Sequence, residues 1–208
     1  MPRLRARLVR TAAALLVAAA SAAAWATVVL HFSIDRLARD AAVVVDGTVS
    51  GRSVRLDAAE GAIWTTYELR VAETLLGTAG ETLRFDVRGG EVGDLVQEIS
   101  GSVRLAEGDR AVLFLCRDGE RLLVLGEAQG CFRVRRSEDG ALLCRNDVTG
   151  LALVDSRLQG RVEADAIEMT RDELGRRVRA VEVARREAEE RRRAARERRL
   201  AELRERAA

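Results

Sequence analysis

Residues 62–75 read AIWTTYELRVAETL, and the pattern alternates. Thr65, Tyr67, Leu69 and Val71 fall on one side; Thr66, Glu68 and Arg70 fall on the other. Successive side chains of a strand point to opposite faces, so this stretch is a strand with one buried side. TLRFDVR repeats the pattern with Leu83, Phe85 and Val87 inward. AVVVDGTVSG opens the strand series ahead of them. GDRAVLFLCRDGERLLVLG reads as a hairpin turning at Asp118-Gly119, and GCFRVRRSEDGALLCRND as a second turning at Asp139-Gly140. Short strands at near-regular spacing, joined by glycine turns, predict a mainly β protein: a small antiparallel barrel or sandwich.

The chain of 208 residues allows one domain of ordinary size plus extra segments. Hydrophobic residues make up 48% but aromatics only 3%, so the core must be built from Val, Leu, Ile and Ala. Two helices are expected to flank the strands. Ser33 can cap a short one, SIDRLARDA, whose Ile34, Leu37, Ala38 and Ala41 share a face. Thr170 and Glu173 form a capping-box sequence at the head of an Arg/Glu-rich stretch that runs to the C-terminus. Glu182–Arg186, Glu187–Arg191, Glu189–Arg193 and Glu202–Arg206 are Glu-then-Arg pairs four apart, the order that supports a helix. Leu174, Val178 and Val181 keep core-facing spacing. Past Val183 the apolar residues larger than alanine are Leu200 and Leu203. This helix is therefore expected to dock at its start and run out into solvent.

The N-terminus has the parts of a secretory signal: MPRLRARLVR, then the apolar TAAALLVAAASAAA, then Ala24-Trp25-Ala26 as a small-x-small cleavage site before Thr27. The rival is an uncleaved anchor over residues 11–32, long enough to span a bilayer. Thr27-Val28-Val29-Leu30-His31-Phe32 is rich in β-branched residues and reads as the opening strand of the sheet, which favours cleavage. The expected division is a signal peptide over 1–26, a barrel domain over 27–168 and the charged helix over 169–208. The expected location is periplasmic or extracellular, with membrane contact only through the signal or anchor.

All 35 basic residues are arginine, and their distribution excludes one class of partner. Arg3, Arg5, Arg7 and Arg10 contribute +4, and residues 170–208, with 14 arginines against 9 acids, contribute +5, so the middle carries −7 of the net +2. An acidic middle argues against a nucleic-acid surface. The interspersed glutamates of the tail dilute its field, which ranks a solvated helix ahead of a membrane- or polyanion-binding one, or one folded back on the acidic domain.

Little reactive chemistry is in view. His31 is the single histidine and sits in the first strand with no nucleophile or orienting partner at any telling spacing. Cys116, Cys131 and Cys144 match no zinc spacing; in an exported chain one disulfide can form among them, while small buried hydrophobes are the preferred reading. Gly89, Gly90, Glu91, Gly93 and Asp94 form the most loop-like cluster. It lacks the following helix and lysine of a phosphate cradle and the ligand count of a calcium loop. It reads as a wide connection between strands, and as the first place to look for a binding loop. No cofactor or metal is expected.

The order of helix, VVVDGTVSG, YELRVAETLLG and GDRAVLFLCRDGERLLVLG resembles the netrin-like module, the group that includes the tissue inhibitors of metalloproteinases. The resemblance covers residues 27–136 through hydrophobic positions and glycines. It implies a five-stranded barrel of the oligonucleotide/oligosaccharide-binding (OB) type and an interaction role, as in exported bacterial proteins of the same segment order. The inhibitors' N-terminal cysteine is replaced here by Thr27 and their dense disulfides are missing, so inhibition by zinc chelation is not implied. The expected function is non-enzymatic binding of a protein or envelope component. The alternative is an envelope-anchored adaptor, with a hydrolytic enzyme third.

Overall fold

The computed structural model describes residues 28–149, 151–155, 160–162 and 165–207. In chain order the elements are β1 (Val28–Leu30), α1 (Ile34–Asp40), β2 (Val43–Asp57), β3 (Ala62–Leu76), β4 (Thr82–Arg88), β5 (Gly90–Val92), β6 (Leu95–Gln97), β7 (Arg110–Asp118) and β8 (Arg121–Val124). A 3-10 turn at Glu127–Gly130 leads to β9 (Cys131–Arg136), β10 (Leu142–Asn146), β11 (Ala152–Asp155), β12 (Gly160–Val162), β13 (Glu168–Thr170) and α2 (Arg171–Ala207). The protein is mainly β, with a long C-terminal helix, as its alternation and tail predict.

The strands close into a ring. β2 pairs with β3, β3 with β4, β4 with β8, β8 with β7, and β7 with β2 again. All these pairings are antiparallel except β4–β8, which is parallel. This is the order of an OB-type Greek-key barrel, and closure removes the free edges that invite association. Register shifts at Val44/Val45, Asp46/Gly47 and Val49/Gly51 bend β2 as it rounds the barrel. Inside lie Val45, Val49, Tyr67, Leu69, Phe85, Leu113 and Leu115, with Tyr67 stacked on Phe85 at 5.2 Å between ring centres.

β7 forks, and the fork makes a second core. Ala111–Leu113 pair with β9, whereas Leu115–Asp118 pair with β8. The chain leaves the barrel through the 3-10 turn between them, and β9, β10 and β13 continue the sheet outward. A Cβ on Gly130 would lie 2.2 Å from the Leu125 carbonyl oxygen, so the crossing itself requires glycine. β7 is then buried on both faces. Ala111, Leu113 and Leu115 face the barrel interior, and Val112 and Phe114 face the helices. That is why RAVLFLC reads as a continuous apolar run rather than an alternating one.

The second core holds Ile34, Leu37, Ala38 and Ala41 of the α1 segment, Val44, Phe114, Phe132 and Cys144 of the sheet, and Leu174 and Val178 of α2. Both helices start as expected. Ser33 Oγ accepts from the Arg36 N–H at 3.3 Å, and Thr170 Oγ1 accepts from the Glu173 N–H at 3.2 Å. From Arg186 to Leu200 every side chain of α2 is exposed.

Three expectations need correction. The first hairpin turns at Gly119-Glu120, one residue later than read, because Asp118 still pairs with Arg121. Within TVVLHF, Val28–Leu30 form a strand, β1, with His31 and Phe32 following it, but outside the barrel: it pairs in parallel with β11, which pairs with β12. Gly89–Asp94 is no wide connection; β5 and β6 make a tight two-stranded hairpin turning at Gly93-Asp94. Three-residue strands are too short to show an alternation, and the glycines hid them.

Candidate binding site

The β5–β6 hairpin stands at one mouth of the barrel and is pinned there by one backbone bond and two side-chain-to-backbone bonds. Gly89 N–H donates to the Ile63 carbonyl at 2.8 Å, Thr65 Oγ1 donates to the Gly89 carbonyl at 2.7 Å, and Ile63 N–H donates to Gln97 Oε1 at 2.7 Å. Gly90 has φ 144°, and a Cβ there would meet Thr65 Oγ1 and Val54 Cγ1, each at 2.7 Å. Only glycine lets the hairpin lie this close to the barrel rim. The tip carries Glu91, Asp94, Leu95 and Val96, all exposed, and Leu95 and Val96 are 54% and 64% accessible.

Between the hairpin and the 98–105 segment opens a cavity of about 260 Å³. Its walls include Arg52, Tyr67, Gly90, Gln97, Ser102 and Arg104. Tyr67 is 2% exposed and reaches the cavity from the barrel core; its hydroxyl accepts from the Leu105 N–H at 3.1 Å. Ser102 Oγ donates to the Arg88 carbonyl at 2.7 Å, closing the segment down on β4. Arg104 pairs with Glu98 at 2.8 Å on the rim, with both side chains mostly in water. Of the candidate loop residues, Gly89, Gly90 and Glu91 line this cavity, while Gly93 and Asp94 form the turn beyond it.

The other singled-out residues do not gather here. Cys116, Cys131 and Cys144 are free thiols. Cys131 packs inside the barrel and Cys144 in the helix-facing core, so the sheet itself separates them. Burial pushes both thiols up to about 12, Asp46 adding to the effect at Cys144, and burial raises Cys116 as well. His31 is half-buried, its backbone N–H donating to the Val154 carbonyl at 2.9 Å. No group of three or more metal-ligating side chains occurs among the described residues. Ala24, Ala26 and Thr27 lie outside the described residues; no helix among those described is long and apolar enough to cross a membrane.

Two constellations escaped the sequence. Asp46, 0% exposed, accepts from Arg110 Nε and Nη2 at 2.9 and 2.8 Å and from Arg171 Nε at 2.8 Å. Burial alone would raise its pKa; the two guanidiniums outweigh burial and hold the carboxyl below its ordinary value. Arg171 also pairs with Glu73, which Arg179 reaches at 3.1 Å, so the barrel grips the head of α2. The signal was an acid set directly after three valines in AVVVDGTV.

The second surrounds Trp64, which is buried although it points away from the barrel interior. Arg121 stacks on its ring at 4.5 Å and Arg88 at 5.3 Å, and its Nε1 donates to Glu60 at 3.0 Å. Arg121 further pairs with Asp57 at 3.1 Å and Glu60 at 2.9 Å. Every acid in this cluster has an arginine or an N–H donor, which makes it a roof over an indole. No family model matches the chain, and no curated protein matches it either.

Proposed function

We propose that this chain is an exported, non-enzymatic binding module whose partner is a protein or envelope component, engaged at the β5–β6 mouth of the barrel. The observation that carries this reading is the pairing of an exposed apolar tip, Leu95 and Val96, with an open polar cavity at its base. Binding sites combine such apolar contact with a few placed polar groups. The OB-type strand order supports the resemblance to netrin-like modules at the level of the barrel. Cys131 and Cys144 are packed and held protonated, and Asp46 is locked between arginines. A binding role follows from this better than a catalytic one.

The test is retention of partners from an envelope fraction by the parent and by Leu95→Asp/Val96→Asp. The tip is solvated, so the variant should melt as the parent does while losing the partner. Equal retention by both would move the binding surface elsewhere. Export is checked separately by native mass: a start at Thr27 supports the cleaved form, and an intact Met1 supports the anchored adaptor instead.

A further inference from the structure

We propose that the cavity beneath the β5–β6 hairpin binds an oxyanion, a carboxylate or phosphate group carried by the partner. The proposal rests on the reading of this mouth as the binding site and names the chemistry it takes. The first observation is an unused proton. Tyr67 Oη accepts from Leu105 N–H, and among the described residues no acceptor takes its own O–H. A buried hydroxyl ordinarily satisfies both capacities, so this donor is free to serve a ligand that enters the cavity.

The second observation is an independent positive group beside it. Arg52 stands directly opposite Tyr67 across β2–β3, and paired residues leave the sheet on the same side. Arg52 is exposed and lines the cavity, and among the described residues it forms no ion pair. Gln97 spends its carbonyl on Ile63 N–H, which leaves its amide N–H groups as further donors in the wall. Arg104 adds a second guanidinium at the rim, already neutralised by Glu98. The buried part of the wall thus offers donors, while its two carboxylates, Glu91 and the arginine-paired Glu98, stand at the rim. Such a wall favours a ligand that only accepts, and a charge-assisted bond to an oxyanion is the strongest it can make. At about 260 Å³ the cavity has room for one small oxyanion-bearing group.

Titration calorimetry of the purified protein with sodium acetate, glucuronate and inorganic phosphate tests this, with glucose as the uncharged control. Saturable binding of at least one anion, weakened by added salt and absent for glucose, is expected. Acetate and glucuronate without phosphate would assign a carboxylate source; phosphate would assign a phosphate-bearing one. Tyr67→Phe should weaken binding by roughly tenfold, as for one hydrogen bond to a charged acceptor. Arg52→Ala, an exposed change that leaves the core intact, should weaken it at least as much. Absence of saturable binding, equal binding of glucose, or parent-like affinity in both variants overturns the proposal. If partner retention still depends on Leu95 and Val96 while no anion binds, the binding-module reading survives and the oxyanion reading falls.

Discussion

The two halves of α2 are both rich in arginine and differ in what holds them. Over Arg171–Arg185 the helix buries Leu174 and Val178, half-buries Val181, and sends Arg171 to the buried Asp46. Over Arg186–Leu200 every side chain is exposed, and the arginines pair along the helix itself, Arg191 with Glu187 at 3.3 Å and Arg193 with Glu197 at 3.0 Å. The same residue type therefore does two different things. An exposed pair four apart contributes about 0.3–0.5 kcal/mol, because water screens it. A buried carboxylate held by two guanidiniums is a different case, since removing one partner strands a charge out of water. Which situation an arginine meets is set by what lies across from it.

The sharpest way to break the contrast is Asp46→Ala. Arg171 would keep only Glu73 and Arg110 would lose its counter-ion, which should destabilise the protein by about 3 kcal/mol, the low end for breaking a buried pair, read by denaturant unfolding. A loss no larger than that of an exposed pair would show that Arg171 finds equal partners elsewhere. Next comes Leu174→Ala, which opens a cavity between α1 and α2 and should cost about 2–4 kcal/mol in the same measurement.

Acid provides a third probe of the docked half. The folded pKa of Asp46 lies below its unfolded value of about 3.9, so the clamp stabilises fully above that value. The stabilisation is lost as pH falls through the folded pKa, because the unfolded chain takes up the proton first. Melting temperature should therefore fall below about pH 4, and Asp46→Asn should flatten that fall. A parallel decline in both proteins would assign acid lability to other carboxylates.

The smallest effect belongs to the outer half. Deleting residues 186–208 should change the melting temperature of the rest by no more than the scatter of the measurement, since nothing in Arg186–Leu200 is buried. A drop of several degrees would mean that the outer helix packs on something, including a second copy of the chain.

Much of this architecture was legible in the chain. The alternation of Thr65, Tyr67 and Leu69, and of Leu83, Phe85 and Val87, placed β3 and β4 with the correct faces inward. Ser33 and Thr170 marked both helix starts, and the spacing of Leu174 and Val178 marked the docked face. The site was less legible. Gly89–Asp94 was picked out as a loop, but β5 and β6 are too short to carry a periodic signal. Tyr67 was placed inward without its hydroxyl being seen, because reaching the cavity depends on where the barrel ends.

By itself, the sequence determined the longer strands, the helix caps and the change from packed to solvated helix, since each depends on neighbours within one or two turns of chain. Only the tertiary structure decided that β7 serves two sheets, that Asp46 meets Arg171 across 125 positions, and that a hairpin roofs the barrel mouth. Those are contacts between residues far apart in the chain. Their partners are chosen by closure of the barrel and by the need to satisfy buried charge, and neither leaves a local pattern to read.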